Sequence, residues 1–537
     1  MTKKNITPGD MARQNGQLAD LDQSKFLPLP PPYDKLELEP KIKPLTAEQK
    51  ERYECSLDGV SAVMIPKPKS EEEKKVLVDK FLSGLKKLFN REDNWTFLQA
   101  LVLTMEYCAK CQTCSNACPI YQQTGGMEIY RPTYRSEIMR RLYKKYVKPG
   151  GRFLSALSGD NIDVNWEMIA RLIELTYRCT LCRRCAQTCP IGADNGLVTH
   201  ELRKLFSQEM GITVKQLHEV GSVQHIQKGS STGMTPAGFT DNVEFMEDEV
   251  KERTGMDFKW PVDKAGADVL LIHNAGEFLA WPENPEAFAI ILEAAGISYT
   301  LSSDLIGYDG VNYGLWYDDV QLARVALKHI ETAKKLGVKK IVIGECGHSH
   351  KALTVIADRI LTGDYNIPRE SSFTLLNEIV KSGRLKLDKS RNEEFYVTLH
   401  DPCNVVRLMG IVEPQREILR AVAPRFREME PHGVHNYCCG GGSGFAIMPN
   451  TNFPDWRHTV AGRAKMKQIL DVYQDVIGPE YKKYVCAPCS NCKGQIRELF
   501  NAYGVFERCN ILYGGLVELI VNAMTDIKEP FLTWEWH

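Results

Sequence analysis

Hydrophobic and polar residues alternate with two different periodicities along this chain. Between residues 69 and 215, apolar residues recur at helical spacing, for example over 136–146 and 166–177, and Ser70 precedes the first such stripe as a helix cap would. From residue 265 onward, short apolar runs alternate with helical stripes. This alternation is typical of an α/β fold with parallel strands.

These patterns divide the 537 residues into five segments. We predict a Pro-rich N-terminal arm at 1–68, a helical domain at 69–215, a linker at 216–264, and two α/β halves at 265–390 and 391–537. The arm has little to bury, so we expect it to be extended, disordered or wrapped on a partner.

The two α/β halves have the same order of elements, and each first strand ends in a histidine. Aligning His273 with His400 places Cys346 opposite Cys489. In the same alignment, Cys403 is opposite Gly276, Cys438-Cys439-Gly440 is opposite Asn312-Tyr313-Gly314, and Cys492 is opposite Ser349. We therefore predict a duplicated domain whose first half has lost all but one cysteine.

Composition narrows the class of protein only slightly. The formal net charge is -1, which argues against a nucleic-acid partner held by counterion release. The N-terminus shows no apolar signal region, and the late apolar stretch 511–524 is too short to span a bilayer. We expect a cytoplasmic protein, attached to the inner face of the cell membrane only through another subunit.

The 17 cysteines change the picture, because most of them fall in dense groups that suit metal ligation in a reducing compartment. Two runs have the spacing C-x2-C-x2-C-x3-C-P, which is typical of two [4Fe–4S] cubanes that exchange their fourth ligands. Zinc would require pairs rather than two such quartets. The predicted ligands are Cys108, Cys111, Cys114 and Cys189 for one cluster, and Cys179, Cys182, Cys185 and Cys118 for the other.

A third set of cysteines lies in the second α/β half, where each group follows a predicted strand. The set comprises Cys403, Cys438, Cys439, Cys489 and Cys492. Parallel strands would bring these loops to one carboxyl edge of the sheet, where open α/β folds bind ligands. Gly440 to Gly442 would allow the backbone to approach a bulky group closely.

The pattern Cys403…Cys438-Cys439-Gly440…Cys489-x2-Cys492 resembles the cysteine-rich CCG domain of heterodisulfide reductases, which also occurs in glycolate, lactate and glycerol-3-phosphate oxidase subunits. That resemblance implies a noncubane [4Fe–4S] cluster that cleaves a disulfide. Residues 92–510 resemble the D subunit of heterodisulfide reductase. The Pro-rich arm and the length are similar to the K-subunit family of the Dsr (DsrMKJOP) membrane redox complexes.

The resemblance implies a fold, a function and partners. The fold would be an α-helical ferredoxin domain with two [4Fe–4S] clusters, followed by a duplicated α/β CCG domain. The protein would be the catalytic subunit of a menaquinol- or quinone-linked complex in dissimilatory sulfur metabolism, docked on a cytochrome b-type membrane subunit. Its two cubanes would pass electrons to the noncubane cluster, which would reduce a disulfide or trisulfide of a DsrC-type sulfur-carrier protein.

Several residues near these motifs have more than one possible role. Cys346 and His348 are either a thiol and proton-relay group facing the substrate or relicts packed between the halves. His400, His350 and His435 are further candidate proton donors. Cys486 ranks below the five family cysteines as a ligand, and Cys55 and Cys509 are expected to be structural.

Two other functions fit parts of the sequence. An electron-transfer-only subunit of a glycolate, lactate or glycerol-3-phosphate oxidase-type complex would use similar motifs and pass electrons to a flavoprotein. An assembly scaffold would bind a partner through the α/β domain and carry only structural metal. The Gly-rich run 440–444 resembles a phosphate loop, but no flavin fingerprint accompanies it.

Overall fold

The computed structural model describes residues 6–14, 17–52, 55–60, 67–445, 455–528 and 530–533. The chain divides into two compact units. The first comprises Met1–Leu217, Trp316–Asp319 and Tyr437–Lys467, and the second comprises His218–Leu315, Val320–Asn436 and Gln468–His537. In the described part of the chain, no helix is both long enough and apolar enough to cross a membrane.

The first unit is helical, as the 3.6-residue periodicity predicts. Its helices are α1 (Ala47–Arg52), α2 (Glu71–Leu88), α3 (Leu98–Tyr107), α4 (Thr113–Ala117), α5 (Pro119–Gln123), α6 (Pro132–Tyr146), α7 (Gly151–Leu157), α8 (Trp166–Tyr177), α9 (Arg184–Gln187) and α10 (Asn195–Gln208). The predicted cap is confirmed, because Ser70 Oγ accepts a hydrogen bond from the backbone N–H of Glu73 at 3.2 Å. Helices α8 and α10 are buried along nearly their whole length and form the centre of the unit.

The N-terminal arm packs on the first unit. Its backbone carbonyls are satisfied by side chains of the helices, since the Arg171 guanidinium donates to the carbonyls of Met11 and Arg13 at 3.0 and 2.7 Å. The side chains of Met11 and Tyr33 are fully buried. The described part of the arm thus buries scattered apolar residues within its own chain.

The second unit contains two four-stranded sheets in which every strand is parallel to its neighbours. Their strands are β1 (Val269–Ile272), β2 (Tyr299–Thr300), β3 (Lys340–Ile343), β4 (Arg369–Ser371), β5 (Phe395–Leu399), β6 (Phe426–Arg427), β7 (Lys482–Cys486) and β8 (Ile511–Gly514). The orders are β2-β1-β3-β4 and β6-β5-β7-β8, so the two sheets have the same topology. Ile272 pairs with Ile343 in one sheet, and Leu399 pairs with Cys486 in the other.

The helices of this part of the chain lie between residues 224 and 523, and several of them, such as those at Pro236–Thr254, Glu283–Ala294 and Leu516–Ala523, share one hydrophobic core with both sheets. The helices are α11 (Gln224–Lys228), α12 (Pro236–Thr254), α13 (Ala275–Ala280), α14 (Glu283–Ala294), α15 (Leu305–Tyr308), α16 (Asp319–Leu336), α17 (Gly347–His350), α18 (Ala357–Ile360), α19 (Ser372–Lys381), α20 (Cys403–Leu408), α21 (Glu413–Val422), α22 (Arg463–Val472), α23 (Ser490–Tyr503), α24 (Val505–Cys509) and α25 (Leu516–Ala523). Short π-helical segments are found at Gln216–Val223, Lys351–Ile356 and Arg457–Ala461.

The segment predicted as a linker, 216–264, is largely helical. Helix α12 buries Phe239, Val243, Met246 and Val250 on one face. This spacing is an ordinary amphipathic stripe. The prediction missed it because acidic residues interrupt the stripe and Gly and Ser precede it.

Candidate iron–sulfur sites

The two ferredoxin-type runs have the same backbone path. Positive φ angles occur two and four residues after the first cysteine of each run, at Lys110 and Gln112 (φ 54° and 68°) and at Leu181 and Arg183 (φ 52° and 58°). Non-glycine residues rarely adopt this region. Its repetition at matching positions gives both loops the same curvature, after which α4 and α9 begin.

The cysteines of the first unit lie in the crossed groups that the spacing predicts. Cys114 is close to Cys108, Cys111 and Cys189, and burial together with these neighbouring thiols raises the pKa of Cys114 to about 11. Thiols crowded in this way repel one another's negative charge once ionised. A cationic cluster would relieve that repulsion, so this donor set suits an iron–sulfur group.

The second group shows the same relation. Burial, and after it the charges of Cys182 and Cys179, raises the pKa of Cys118 to about 12. Burial also raises the pKa of Cys185, which lies close to Cys182, Cys179 and Cys118. The fourth cysteine of each run therefore lies with the first three of the other run.

Backbone N–H groups point at several of these sulfurs. The N–H of Leu181 donates to Cys179 Sγ at 3.4 Å, and the N–H of Ala193 donates to Cys189 Sγ at 3.3 Å. Hydrogen bonds to ligating sulfurs stabilise the thiolate and adjust the potential of a bound cluster.

The adjacent pair Cys438 and Cys439 belongs to the first unit. Cys438 Sγ accepts the N–H of Gly440, and Cys439 Sγ accepts the N–H of Gly441, both at 3.4 Å. Gly440 has φ +95°, and a Cβ there would lie 2.5 Å from the backbone nitrogen of Gly462. Only glycine fits this position, so the backbone can turn tightly directly after the two cysteines.

The other cysteines of the third set lie at the carboxyl ends of adjacent strands in the second unit. Cys403 begins α20 shortly after β5, and Cys489 caps α23 three residues after the end of β7. Cys492 lies in the first turn of α23. Because β5 and β7 are parallel neighbours, both loops emerge at the same edge, as predicted.

Cys489 is the centre of this edge. Its neighbours are Cys346, Cys492 and His348, and hydrogen bonds from them hold the pKa of Cys489 well below its usual range. The N-terminus of the 14-residue helix α23 favours the thiolate in the same direction. Asn491 donates from Nδ2 to Nδ1 of His348 at 2.8 Å, which leaves the imidazole proton on Nε2.

Cys346 lies at this edge as well, because it follows β3 by the same three residues by which Cys489 follows β7. Asn274 donates from Nδ2 to Cys346 Sγ at 3.2 Å. Burial, followed by the hydrogen bond with Cys489, raises the pKa of Cys346, whereas the pKa of Cys489 is lowered.

The three other candidate histidines and Cys486 have different surroundings. His350 uses both ring nitrogens within the protein, on the carbonyl of Cys346 and on Ser371, each at 2.8 Å. His400 is buried and follows β5, whereas His435 is exposed in the turn Gly433–His435. Cys486 is part of β7 and of the hydrophobic core.

The two lone cysteines lie away from these motifs in the sequence. Cys509 is fully buried at the end of α24, and Cys55 is half-buried in the N-terminal arm. Neither belongs to one of the cysteine groups described above.

Comparison with known proteins gives the same division of motifs. Residues 104–193 match the model of a 4Fe-4S dicluster domain, and residues 397–497 match that of a cysteine-rich domain, CCG. The chain is 26% identical over 468 residues to "Hdr-like menaquinol oxidoreductase iron-sulfur subunit 2" of Archaeoglobus fulgidus, covering 79% of this chain and 80% of that protein.

Two further relatives are proteins of other kinds that have similar sequences. One is the D subunit of the dihydromethanophenazine:CoB--CoM heterodisulfide reductase of Methanosarcina barkeri, 21% identical over 436 residues, with 79% and 95% of the two chains covered. The other is "Probable iron-sulfur-binding oxidoreductase FadF" of Bacillus subtilis, 23% identical over 392 residues, with coverages of 66% and 52%. The class is thus that of iron–sulfur proteins with a dicluster domain ahead of a cysteine-rich domain. Within it, the chain is an iron–sulfur protein like the D subunit of heterodisulfide reductase, with a CCG domain.

Proposed function

We propose that this chain is the iron–sulfur catalytic subunit of a membrane-associated, quinone-linked complex that reduces a disulfide or trisulfide of a DsrC-type carrier protein. The observation that carries the proposal is the meeting of Cys489, Cys346 and His348 at the carboxyl edge of the parallel strands, where Cys346 and His348 form hydrogen bonds with the Cys489 sulfur. A purely structural metal site has no need of a further thiol and an oriented histidine beside a ligand.

The ligand assignment is part of the proposal. The five cysteines Cys403, Cys438, Cys439, Cys489 and Cys492 all fall within the matched cysteine-rich domain and would hold one noncubane [4Fe–4S] cluster. When bound, this group would supply electrons one at a time and a Lewis-acidic iron for sulfur. The eight cysteines of the dicluster domain, in the two crossed groups, would hold the cubanes that conduct electrons to it.

The side chains around the cluster would handle protons and orientation. Cleavage of one S–S bond consumes two electrons and two protons and releases two thiols. His348, fixed by Asn491, presents its Nε2 proton on the side of Cys489, and Cys346 carries a second proton. His400, at the end of β5, is the third candidate for contact with a substrate sulfur.

The duplication is proposed on matching positions. The sheets share strand order, and Cys346 and Cys489 each follow an equivalent strand by three residues. At the position of Cys403, four residues after β5, the first sheet has Gly276, and at the position of Cys492 it has Ser349. The first half would then keep the scaffold without the ligands.

Titration of the complex with its substrate tests this function. The purified complex, given a reduced quinol and the oxidised carrier protein, should release two thiols for each quinol consumed. The chain should contain about twelve irons, as three four-iron clusters require. Cys439→Ser should abolish thiol release and any paramagnetic signal induced by the carrier, and leave the signals of the two cubanes. About eight irons in the wild type would contradict the assignment.

A second function has its own support. Relatives include "Probable iron-sulfur-binding oxidoreductase FadF" and "EtfAB:quinone oxidoreductase" of Syntrophomonas wolfei. An electron-transfer-only subunit would pass electrons between a flavoprotein and quinone. It would oxidise quinol with an electron-transfer flavoprotein as acceptor and release no thiols from the carrier, so the same assay separates the two functions.

A further inference from the structure

Two arginines of the first unit are buried without a carboxylate partner. Arg203 of α10 is 0% exposed and Arg135 of α6 is 5% exposed. Among the residues that the structure describes, neither forms an ion pair with an acidic side chain. A buried charge is costly unless a counterion compensates it, so both arginines require an explanation.

The guanidinium of Arg203 is bound by neutral acceptors. Its Nη2 donates to the backbone carbonyls of Thr176 and Cys179, at 2.6 and 2.9 Å. Its Nη1 donates to the carbonyl of Trp316 at 3.1 Å and to the hydroxyl of Ser443. Burial lowers the pKa of Arg203 to about 10, so the group is still a cation at neutral pH.

A third buried arginine of the same unit has different surroundings. Arg171 of α8 is also 0% exposed and also donates to backbone carbonyls, those of Met11 and Arg13. The charges of Glu174 and Glu167, however, lie close enough to raise the pKa of Arg171 against the effect of its burial. The corresponding influences on Arg203 come from a tyrosine and a cysteine, and carboxylates are not among them.

Both unpaired arginines lie beside the second crossed group of cysteines. Arg203 contacts the backbone of Cys179, and the charge of Arg135 lowers the pKa of Cys118 and of Cys185 against the larger effect of their burial. Four thiolates give a ligated [4Fe–4S] cubane a net negative charge. A cubane held by this group is therefore an anion that suits the two arginines as a counterion.

The first crossed group has no comparable pair of cations among the main influences on its thiols. For Cys114 these influences are burial, the neighbouring thiols and a hydrogen bond with Ser115. Lys110, which lies within the first run, is half-exposed and donates to Glu137 at 3.2 Å. Solvent and a carboxylate thus compensate the charge of Lys110, so the two groups differ in their electrostatic surroundings.

The second run also packs on the loop that follows Cys438 and Cys439. A Cβ on Gly442 would lie 2.5 Å from the carbonyl oxygen of Thr180, which is part of the second run. Arg203 joins the same two segments, because it donates both to the carbonyl of Cys179 and to Ser443. Within the first unit, the second crossed group is thus in contact with the loop of the adjacent cysteine pair.

We propose that Arg203 and Arg135 are the counterions of the second cubane and make it the one that passes electrons to the cluster at Cys438 and Cys439. This inference rests on the proposed function and adds the residues that set a potential within it. Each transfer adds one electron from the quinol to an already negative group, and no bond or proton changes place. Fixed positive charges beside that group stabilise its reduced form and so raise its potential.

The test is a redox titration of the full complex, monitored by EPR. In Arg203→Gln and in Arg135→Gln, the ratio of reduced to oxidised second cubane at a fixed potential should fall about tenfold, or about 59 mV for a one-electron couple. Arg203→Lys keeps the charge and should stay close to wild type. The first cubane is the internal control, and Cys111→Ser, at its exposed ligand, identifies its signal. Arg171→Gln is the matched control and should change neither potential.

The outcomes separate charge from structure. If both Gln variants keep two cubanes and the wild-type potentials, the inference is wrong. An equal shift in Arg203→Lys and Arg203→Gln would also overturn it, because the hydrogen bonds to Cys179 and Ser443 would then matter rather than the charge. Should Arg203→Gln lose iron, Arg135→Gln decides, since among the described residues it loses one hydrogen bond, to Thr199 Oγ1 at 2.9 Å.

The titration needs no carrier protein, so the two proposals can fail separately. If wild type releases no thiols but the second cubane shifts in the Gln variants, the disulfide function is wrong and the counterion role stands. If wild type releases thiols and neither Gln variant shifts this cubane, the function stands and the counterion role is wrong.

Discussion

The two sheets of the second unit use one scaffold in different ways. Each places a loop and a helix N-terminus three residues after its central strand, and the residue there is Cys346 in the first sheet and Cys489 in the second. Around Cys489 stand a further cysteine and the start of a 14-residue helix, whereas Cys346 caps the four-residue helix α17. Equal topology therefore gives different surroundings, because Cys489, unlike Cys346, has a second cysteine three residues later and a 14-residue helix behind it.

The largest expected effect comes from exchanging sulfur for oxygen at these two positions. Cys489→Ser should remove about four of about twelve irons and abolish thiol release, because a hydroxyl is a poor ligand for iron. Cys346→Ser should keep the iron and slow the reaction, since a protonated thiol is lost. Iron analysis and EPR of both variants measure this. Equal iron loss would make Cys346 a ligand and remove the difference between the sheets.

How much the sequence predicts depends on how far apart along the chain the interacting residues lie. The crossed cysteine groups follow from local spacing, and strands such as β1, β5 and β7 follow from short apolar runs. Strand β4 was missed because its three residues, Arg369–Ser371, are polar, and β8 because Ile511–Gly514 merges with the apolar helix after it.

No local sequence pattern predicts that three carboxyl groups of the second unit are buried. Glu277, Glu345 and Glu518 lie far apart in sequence, and each follows or begins an element in which a lone acidic residue is ordinary. Their proximity arises only when both sheets pack into one core. Cys346 became a candidate because the alignment of the two halves sets it opposite Cys489, and the carboxyl groups had no such partner position.

A smaller effect is expected two residues after the central strands, where the sheets carry Asn274 and Asp401. Asp401 is buried and forms two hydrogen bonds with the Arg416 guanidinium, at 2.8 and 2.7 Å. Asp401→Asn leaves that charge without its closest partner, so the free energy of unfolding should fall by about 3–5 kcal/mol. Asn274→Ala removes the cap of α13 and the hydrogen bond to Cys346 Sγ, and should cost about 1–2 kcal/mol. Thermal melting compares the two. Equal losses would mean that Glu428, which also pairs with Arg416, replaces Asp401.

The last difference between the sheets concerns the dependence of stability on pH. The residue before Cys346 is Glu345, whereas the residue before Cys489 is Pro488. Burial, and then the neighbouring Glu518, raises the pKa of Glu345 from 4.5 to about 8. The folded protein therefore keeps a proton that the unfolded chain releases above pH of about 4.5. Each unit of pH through this window should lower stability by up to about 1.4 kcal/mol.

Melting of wild type and Glu345→Gln at a series of pH values between about 5 and about 8 measures this dependence. Wild type should lose melting temperature steadily as pH rises, because the folded state binds more protons than the unfolded state. Glu345→Gln keeps a neutral side chain at every pH, so its curve should be flatter, and the variant should exceed wild type in stability at the alkaline end. Parallel curves would mean that Glu345 is ionised throughout, with the helix N-terminus of α25 and Lys493 stabilising its charge. In that case the first sheet would hold a fixed anion beside its thiol.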